Sequence, residues 1–254
     1  MSNINVEISD RVLSIEIARV DKKNALTADM YGAMADGFAR AEADNAVRVI
    51  LIHGTRECFT AGNDLKDFLA RPPHAGPSPA FAFISALPKL AKPLIAAVGG
   101  PAVGVGTTML LHCDLVYAAP GARFQMPFVP LGLVPEAASS LLLPMIAGYQ
   151  RAAELLLLGQ PFTAEKALAA GFVTEIVAEE KLLGHARAAA VAVAALPPAS
   201  VRLTKQLMKR QLSQAITSQM EEERRIFAER LRSGEAKEAL SAFFEKRKPD
   251  FSRF

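Results

Sequence analysis

The chain has 254 residues, half of them hydrophobic, and a net charge of +3. That length fits one large domain, or one core with an appendage, and so apolar a composition implies a large core with room for a buried interface. No apolar run reaches the ~18 residues of a membrane helix, and with no Trp and 3 Tyr there is little to stack on nucleic-acid bases.

Taken in chain order, Val6–Ile8 and Val12–Ala18 read as a hairpin around Ser9-Asp10. The spacing predicts a helix over Asp29–Ala43, with Thr27 as its N-cap. Val47–His53 (VRVILIH) is a buried strand. Ser78–Leu90 is helical and ends before Lys92-Pro93. Leu94–Val98 is the next buried strand, and Gly106–His112 is a short helix apolar enough to be wholly buried. Leu115–Ala118 is a strand, Ala137–Ile146, Gln150–Leu157 and Ala164–Ala170 are helices, and Val173–Val177 is a last strand. From Glu179 onward the pattern is helical throughout: Lys181–Ala195, Ala199–Leu212, Ala215–Arg232 and Glu235–Glu245, with a break at Pro197-Pro198. Strand, loop and helix in alternation define an α/β class. The division expected is a core over residues 1–196 and a helical region over 197–254. Leu203, Leu207, Ile216, Met220 and Phe227 in that region look like more apolar surface than one subunit buries, which predicts association.

Met1 to Asp10 carries Glu7 and Asp10 and alternates like a strand, unlike a secretion signal. Ser252-Arg253-Phe254 is not the peroxisomal tripeptide. The two cysteines, Cys58 and Cys113, lie outside any CxxC motif, so a reducing, cytoplasmic setting without disulfides is expected. His53, His74, His112 and His185 have no metal-ligand spacing, and no metal or cofactor is expected. His112, inside the apolar run Met109–Leu115, reads as a core histidine with a satisfied ring. From Arg202 onward 13 Lys/Arg stand against 8 Asp/Glu, while the rest of the chain has 16 against 18. This mildly basic tail is mostly a solvated helical face, although it also suits an anionic ligand.

Two glycine-bearing segments carry the chemistry. Cys58-Phe59-Thr60-Ala61-Gly62-Asn63-Asp64-Leu65 follows one buried strand, and Gly99-Gly100-Pro101-Ala102-Val103-Gly104-Val105-Gly106 follows another. Glycine there allows positive φ or close approach of backbones. Two such loops, each with free N–H groups near a helix start, can aim two donors at one oxygen that gains negative charge, which points to chemistry on a carbonyl. The glycines fail the GxGxxG dinucleotide spacing, and Asp114 starts the following strand instead of ending one. No serine has a GxSxG setting and there is no phosphate-binding loop.

Together, RVDKKNAL at Arg19–Leu26, CFTAGNDLKDF, KPLIAAVGGPAVGVGTTMLLHCDLVYA, FQMPFVPLGLVPEAASSLLLP and the terminal FFEKRKPDF resemble the crotonase superfamily, the enoyl-CoA hydratase/isomerase family, over essentially the whole chain. The resemblance implies a spiral of strand-strand-helix units, a C-terminal helical region that builds trimers or dimers of trimers, and an acyl-CoA thioester as ligand. It implies that the thioester oxygen sits between the backbone N–H groups of Asn63 and Val105. It also implies CoA contacts from Lys23, Ala61, Gly62, Asp64, Leu65 and Lys66, with Phe243 and Lys246 covering the nucleotide, in the same or a neighbouring subunit. Asp64 reads also as a loop cap. Phe59, Leu65, Phe81, Phe128 and Leu131 are the candidate acyl-pocket residues.

The two positions at which hydratases of the family carry glutamate are Thr108 and Phe128 here, so hydration lacks its usual acid–base groups. A different carboxylate, Glu136 in Pro135-Glu136-Ala137-Ala138, matches the single acid–base residue of the Δ3,Δ2-enoyl-CoA isomerase branch. The expectation is therefore an enoyl-CoA isomerase using Glu136. The alternatives are a hydratase or acyl-CoA hydrolase of the same fold, or a non-catalytic CoA-binding protein. Read from position alone, Glu136 is a carboxylate at a helix start, favourable to the macrodipole.

Overall fold

The computed structural model describes residues 3–70 and 78–254; His74 lies outside the described residues. In chain order the elements are β1 (Ile4–Ser9), β2 (Val12–Ile17), α1 (Ala28–Ala43), β3 (Val49–His53), α2 (Leu65–Ala70), α3 (Pro79–Ala86), β4 (Leu94–Val98), β5 (Pro101–Val103), α4 (Val105–Thr108), β6 (Leu115–Ala118), β7 (Arg123–Gln125), α5 (Ser139–Ala147), α6 (Tyr149–Leu158), β8 (Phe162–Thr163), α7 (Ala164–Ala169) and β9 (Glu175–Ile176). Four helices follow: α8 (Leu182–Ala195), α9 (Pro198–Lys209), α10 (Ser213–Arg230) and α11 (Gly234–Glu245).

One sheet has the order β1-β2-β3-β4-β6-β9, antiparallel between β1 and β2 and parallel thereafter. Its inner strands β2, β3 and β4 are largely buried on both faces, and the period of two divides them cleanly. Leu13, Ile15, Ile50, Ile52, Leu94 and Ala96 enter the main core with α1 and α3. Val12, Val49, Leu51, Ile95 and Ala97 face the other way, where Leu182, Ala186, Ala190 and Ala194 of α8 cover them. The helices after Glu179 therefore begin by closing the sheet's second face. Further along, Ile216 and Phe227 of α10 join the main core, so two of the five apolar positions expected to seek a partner are already buried within the chain, and Met220 is half-buried. Leu203 and Leu207 of α9 are 57% and 67% exposed. Only Lys205 is buried on α9: its Nζ donates to Asp114 Oδ2 and to the Lys92 carbonyl, both at 2.7 Å. This helix thus turns its charge inward and its leucines outward.

A second sheet, β5-β7-β8, has no counterpart in the sequence-based assignment. Its strands are two or three residues long, too short to show a periodicity. It matters because β5 belongs to the second glycine loop and carries that loop to the first. Thr60 pairs with Ala102 as a parallel bridge, with Thr60 N–H donating to the Pro101 carbonyl at 3.0 Å and Val103 N–H to the Thr60 carbonyl at 3.0 Å. The glycines allow this approach. A Cβ on Gly62, where φ is +84°, would lie 2.8 Å from the Val103 carbonyl oxygen, and one on Gly106 would lie 2.5 Å from Thr60 Cγ2. Asn24, fully buried at positive φ, knots the Arg19–Leu26 segment to the same loop. Its Nδ2 donates to the Cys58 carbonyl at 2.8 Å and its Oδ1 accepts from Arg19 N–H at 2.7 Å. Asn is among the few residues that tolerate this conformation.

The expected helix over Ala137–Ile146 begins only at Ser139, because Ala137 and Ala138 both adopt left-handed backbone. The expected helix Gly106–His112 begins at Val105 and tightens to a 3-10 turn after Thr108. Thr27 caps α1 as expected, accepting from Met30 N–H at 3.3 Å.

Gly62→Ala tests the loop pairing. The new methyl group meets backbone oxygen at a positive φ, so a loss of about 2–3 kcal/mol is expected by urea unfolding. Wild-type stability would show that the two loops are not tightly apposed.

Candidate active site

The paired loops open onto a cavity of about 650 Å³, walled by both glycine loops, by α3, by the segment after β7 and by α10 and α11. Neither Asn63 N–H nor Val105 N–H has a hydrogen-bond partner among the described residues, although their neighbours do: Asp64 N–H is held by the Leu26 carbonyl at 2.9 Å and Gly104 N–H by the Gln125 carbonyl at 2.8 Å. Gly104, at φ +59° and ψ −120°, makes the turn that frees Val105. Two backbone donors thus stand unengaged at the wall of one cavity, the arrangement that binds a developing oxyanion.

Glu136 lies on that cavity wall and is 8% exposed. It does not sit in a helix. It precedes the left-handed pair Ala137-Ala138, so the helix-dipole reading of Glu136 does not describe it. Thr108 Oγ1 donates a short hydrogen bond to Oε1, and Oε2 is buried without any partner. Burial pushes the carboxyl up to about 7; the Glu223 carboxylate adds to the rise and the Thr108 hydrogen bond opposes it. At neutral pH such a group is partly ionised and more basic than an ordinary carboxylate, which suits a general base. Asp64 is the other acidic residue on the cavity wall. It is held by Arg19 at 2.7 Å, and that hydrogen bond keeps its carboxyl below the usual range. Its Oδ1 also caps α2, accepting from Lys66 N–H at 3.1 Å and Asp67 N–H at 3.2 Å.

Ala61, Gly62, Leu65, Lys66, Phe81, Phe128, Leu131 and Phe243 also line the cavity. Three expected residues do not. Phe59 is fully buried in the main core, because the Thr60–Ala102 bridge turns its side chain inward. Lys23 is exposed away from the cavity, having taken left-handed backbone at the end of a 3-10 turn, and it is Lys22 that reaches the wall. Lys246 ends α11 in left-handed backbone and is absent from the wall, where Phe244 stands beside Phe243. Phe243 covers the cavity of its own chain.

Besides Lys22 and Phe244, two residues escaped the sequence reading. Tyr31 of α1 is buried on the cavity wall and donates its hydroxyl to Asn63 Oδ1 at 2.5 Å. Burial, and then the Glu136 charge, raise its phenol well above the usual value. A tyrosine among Met30, Met34 and Phe38 on the buried face of α1 was the available signal. Glu223, on α10, is buried behind Glu136 and had no signal, since it follows Glu221 and Glu222 in an acidic run. His112 is buried as expected, with Nε2 2.7 Å from the Ala137 carbonyl, and burial lowers it to about 4. Burial raises Cys58 to about 11 and Cys113 to about 12, so neither is a ready nucleophile. Among the described residues no group of three His, Cys, Asp or Glu is placed to hold a metal ion.

The family model for enoyl-CoA hydratase/isomerase matches residues 7–253, and the chain belongs to that family. It is 33% identical over 261 residues to 1,2-epoxyphenylacetyl-CoA isomerase of Escherichia coli, covering 99% of both chains. It is 34% identical over 244 residues to enoyl-CoA delta isomerase 2 of Rattus norvegicus, covering 94% of this chain and 62% of that protein. A crystal structure of an enoyl-CoA hydratase/isomerase from Pseudoalteromonas atlantica superposes with a TM-score of 0.95 at 44% identity, over 99% of this chain and 100% of the other. Relatives named as hydratases also match across nearly the whole chain, so relatedness alone does not choose the reaction.

Thr108→Val keeps the shape at position 108 and removes the donor to Glu136. Without that hydrogen bond the ionised carboxylate is less favoured, so the acid limb of the pH profile of kcat/KM is expected to move to higher pH and turnover at pH 7 to fall about tenfold. An unmoved limb would show that the Thr108 hydrogen bond does not set the state of Glu136.

Proposed function

We propose that this protein is an enoyl-CoA isomerase that moves the double bond of a 3-enoyl-CoA to the 2-position. The observation that carries the reading is the composition of the cavity wall: one carboxylate, Glu136, has an oxygen free to exchange a proton, and the other, Asp64, is tied up by Arg19.

In the proposed reaction the thioester oxygen accepts from Asn63 N–H and Val105 N–H. Glu136 Oε2 removes a proton from C2, which lies between the carbonyl and the C3–C4 double bond. The C–H electron pair forms a C1–C2 double bond, the carbonyl π pair moves onto oxygen and the C3–C4 double bond stays in conjugation, so the charge of the dienolate rests largely on the thioester oxygen. The two N–H groups stabilise that charge. Glu136 then returns the proton to C4: the oxygen pair re-forms the carbonyl, the C1–C2 pair shifts to C2–C3 and the C3–C4 pair takes the proton, leaving the conjugated 2-enoyl thioester. No water enters, so one carboxylate suffices.

Thr108 and Phe128 support this over hydration. A glutamate at position 108 would set a second carboxylate against Glu136, whereas threonine supplies a donor. Phe128 adds an apolar wall where a water-activating group would be required. In this reading Lys22 and Lys66 serve the phosphates of CoA, and Phe243 and Phe244 cover its pantetheine side. Leu203 of α9 shares an open cleft of about 1100 Å³ with Met145 and Ile146, and with the exposed Leu207 this makes a surface suited to threefold association of subunits.

Glu136→Gln preserves shape and cannot take the proton. Turnover of 3-trans-hexenoyl-CoA is expected to fall at least about 10²-fold with little change in CoA-ester affinity; turnover within threefold of wild type would exclude Glu136 as the base. With wild-type enzyme, hydration of 2-trans-hexenoyl-CoA, read as a gain of one water mass, is expected to be far slower than isomerisation. The reverse ranking would favour a hydratase. Light scattering after size exclusion is expected to show a trimer or dimer of trimers; a mass near 27.2 kDa would contradict association.

A further inference from the structure

Glu136 is placed by a backbone turn that has no local reason to form. Ala137 and Ala138 adopt φ of +60° and +55°, a left-handed conformation that is unfavourable for alanine because its Cβ crowds the following carbonyl oxygen. Such a turn persists only where its surroundings over-determine it. Its backbone groups are accordingly taken up on every side. Ser139 Oγ donates to the Glu136 carbonyl at 2.6 Å, and the His112 ring meets the Ala137 carbonyl. The remaining groups converge on one side chain. Glu223 Oε2 accepts from Ala138 N–H at 2.6 Å, and Oε1 accepts from Ser140 N–H at 3.1 Å and from the Ser140 hydroxyl. One helical turn earlier, Gln219 Nε2 donates to the same hydroxyl at 2.9 Å. The α10 helix, far along the chain, thus grips the first residues of α5.

We propose that Glu223 is a positioning residue for the isomerase reaction: its carboxylate holds the Ala137-Ala138 turn left-handed and so directs Glu136 Oε2 into the cavity. The inference rests on the reading of Glu136 as the base. Glu223 touches neither the cavity of about 650 Å³ nor the two donor N–H groups. It lines a smaller space of about 120 Å³ on the other side of Glu136, with Lys89, Glu221 and Arg224. The groups that face Glu136 are therefore Thr108 from α4, Tyr31 from α1, Glu223 from α10, and these three charges across the smaller space. Among them the Glu223 charge acts to raise Glu136.

Two consequences separate positioning from a merely structural role. Glu223→Gln keeps the volume but turns an amide N–H₂ toward backbone donors, which loosens the turn. Isomerase kcat is expected to fall at least about tenfold with KM within twofold. It also removes a negative charge beside Glu136, so Glu136 ionises more readily and the acid limb of kcat/KM is expected to move to lower pH. A contact that only stabilised the fold would lower activity in proportion to the folded fraction, measured by circular dichroism, and leave the limb in place. That result, or a kcat within twofold of wild type, would overturn the proposal. Should Glu223→Gln not fold, Ser140→Ala decides: it withdraws one ligand of the carboxylate without a change of charge. A three- to fivefold loss of kcat at constant KM is then expected, and wild-type kcat overturns the proposal. Glu136→Gln runs beside them. If it retains turnover, the reading of Glu136 fails and this proposal falls with it; if it is inactive while Glu223→Gln behaves as wild type, only the role of Glu223 fails.

Discussion

The site depends on one unfavourable placement, a carboxylate buried with one of its oxygens unpartnered. The rise from 4.5 to about 7 corresponds to about 3 kcal/mol against ionisation. The sign follows from linkage. Because the folded value exceeds the unfolded one, the favourable contribution of protonated Glu136 is complete below about 4.5 and is lost as pH rises through about 7. The folded protein therefore carries this buried carboxylate at a cost in stability at neutral pH. The surrounding structure offsets that cost through Thr108 on one oxygen, a clamped turn behind it and a large core on both faces of the sheet.

Close contact between the glycine loops supplies the complementary half of the site. The Thr60–Ala102 bridge and the buried Asn24 fix both loops to one frame, so that Asn63 and Val105 present their N–H groups to one cavity. Tyr31 adds a further hold through the Asn63 side chain. Donors placed in advance do not have to reorganise when charge develops, and this is the main reason such sites are effective. Glu136 and the two backbone donors come from different parts of the chain, and α10 and α11 help to close the cavity around them. The region after residue 197 is thus part of the site's wall as well as a candidate surface for association.

Much of this was legible in the sequence because it is written in local pattern. Buried β-branched runs marked β3, β4 and β6, and Thr27 marked the start of α1. Glycines at both loops and the motif around Glu136 pointed to residues that the fold brings to one cavity. What escaped depends on long-range geometry. The short strands β5, β7 and β8 have no periodicity of their own. The left-handed Ala137-Ala138 pair looks like the start of a helix, because alanine favours helix and the clamp that overrides it comes from residue 223. Phe59 looked like a pocket residue until the loop bridge turned it inward, and the positive φ of Lys23 leaves its neighbour Lys22 at the cavity.

The most direct test is a crystal structure of the Glu136→Gln variant with 3-trans-hexenoyl-CoA bound. The account predicts the thioester oxygen within about 2.7–3.1 Å of both Asn63 N and Val105 N, with C2 and C4 of the acyl chain both against the residue-136 side chain. A thioester oxygen held elsewhere, or an acyl chain directed away from position 136, would contradict it.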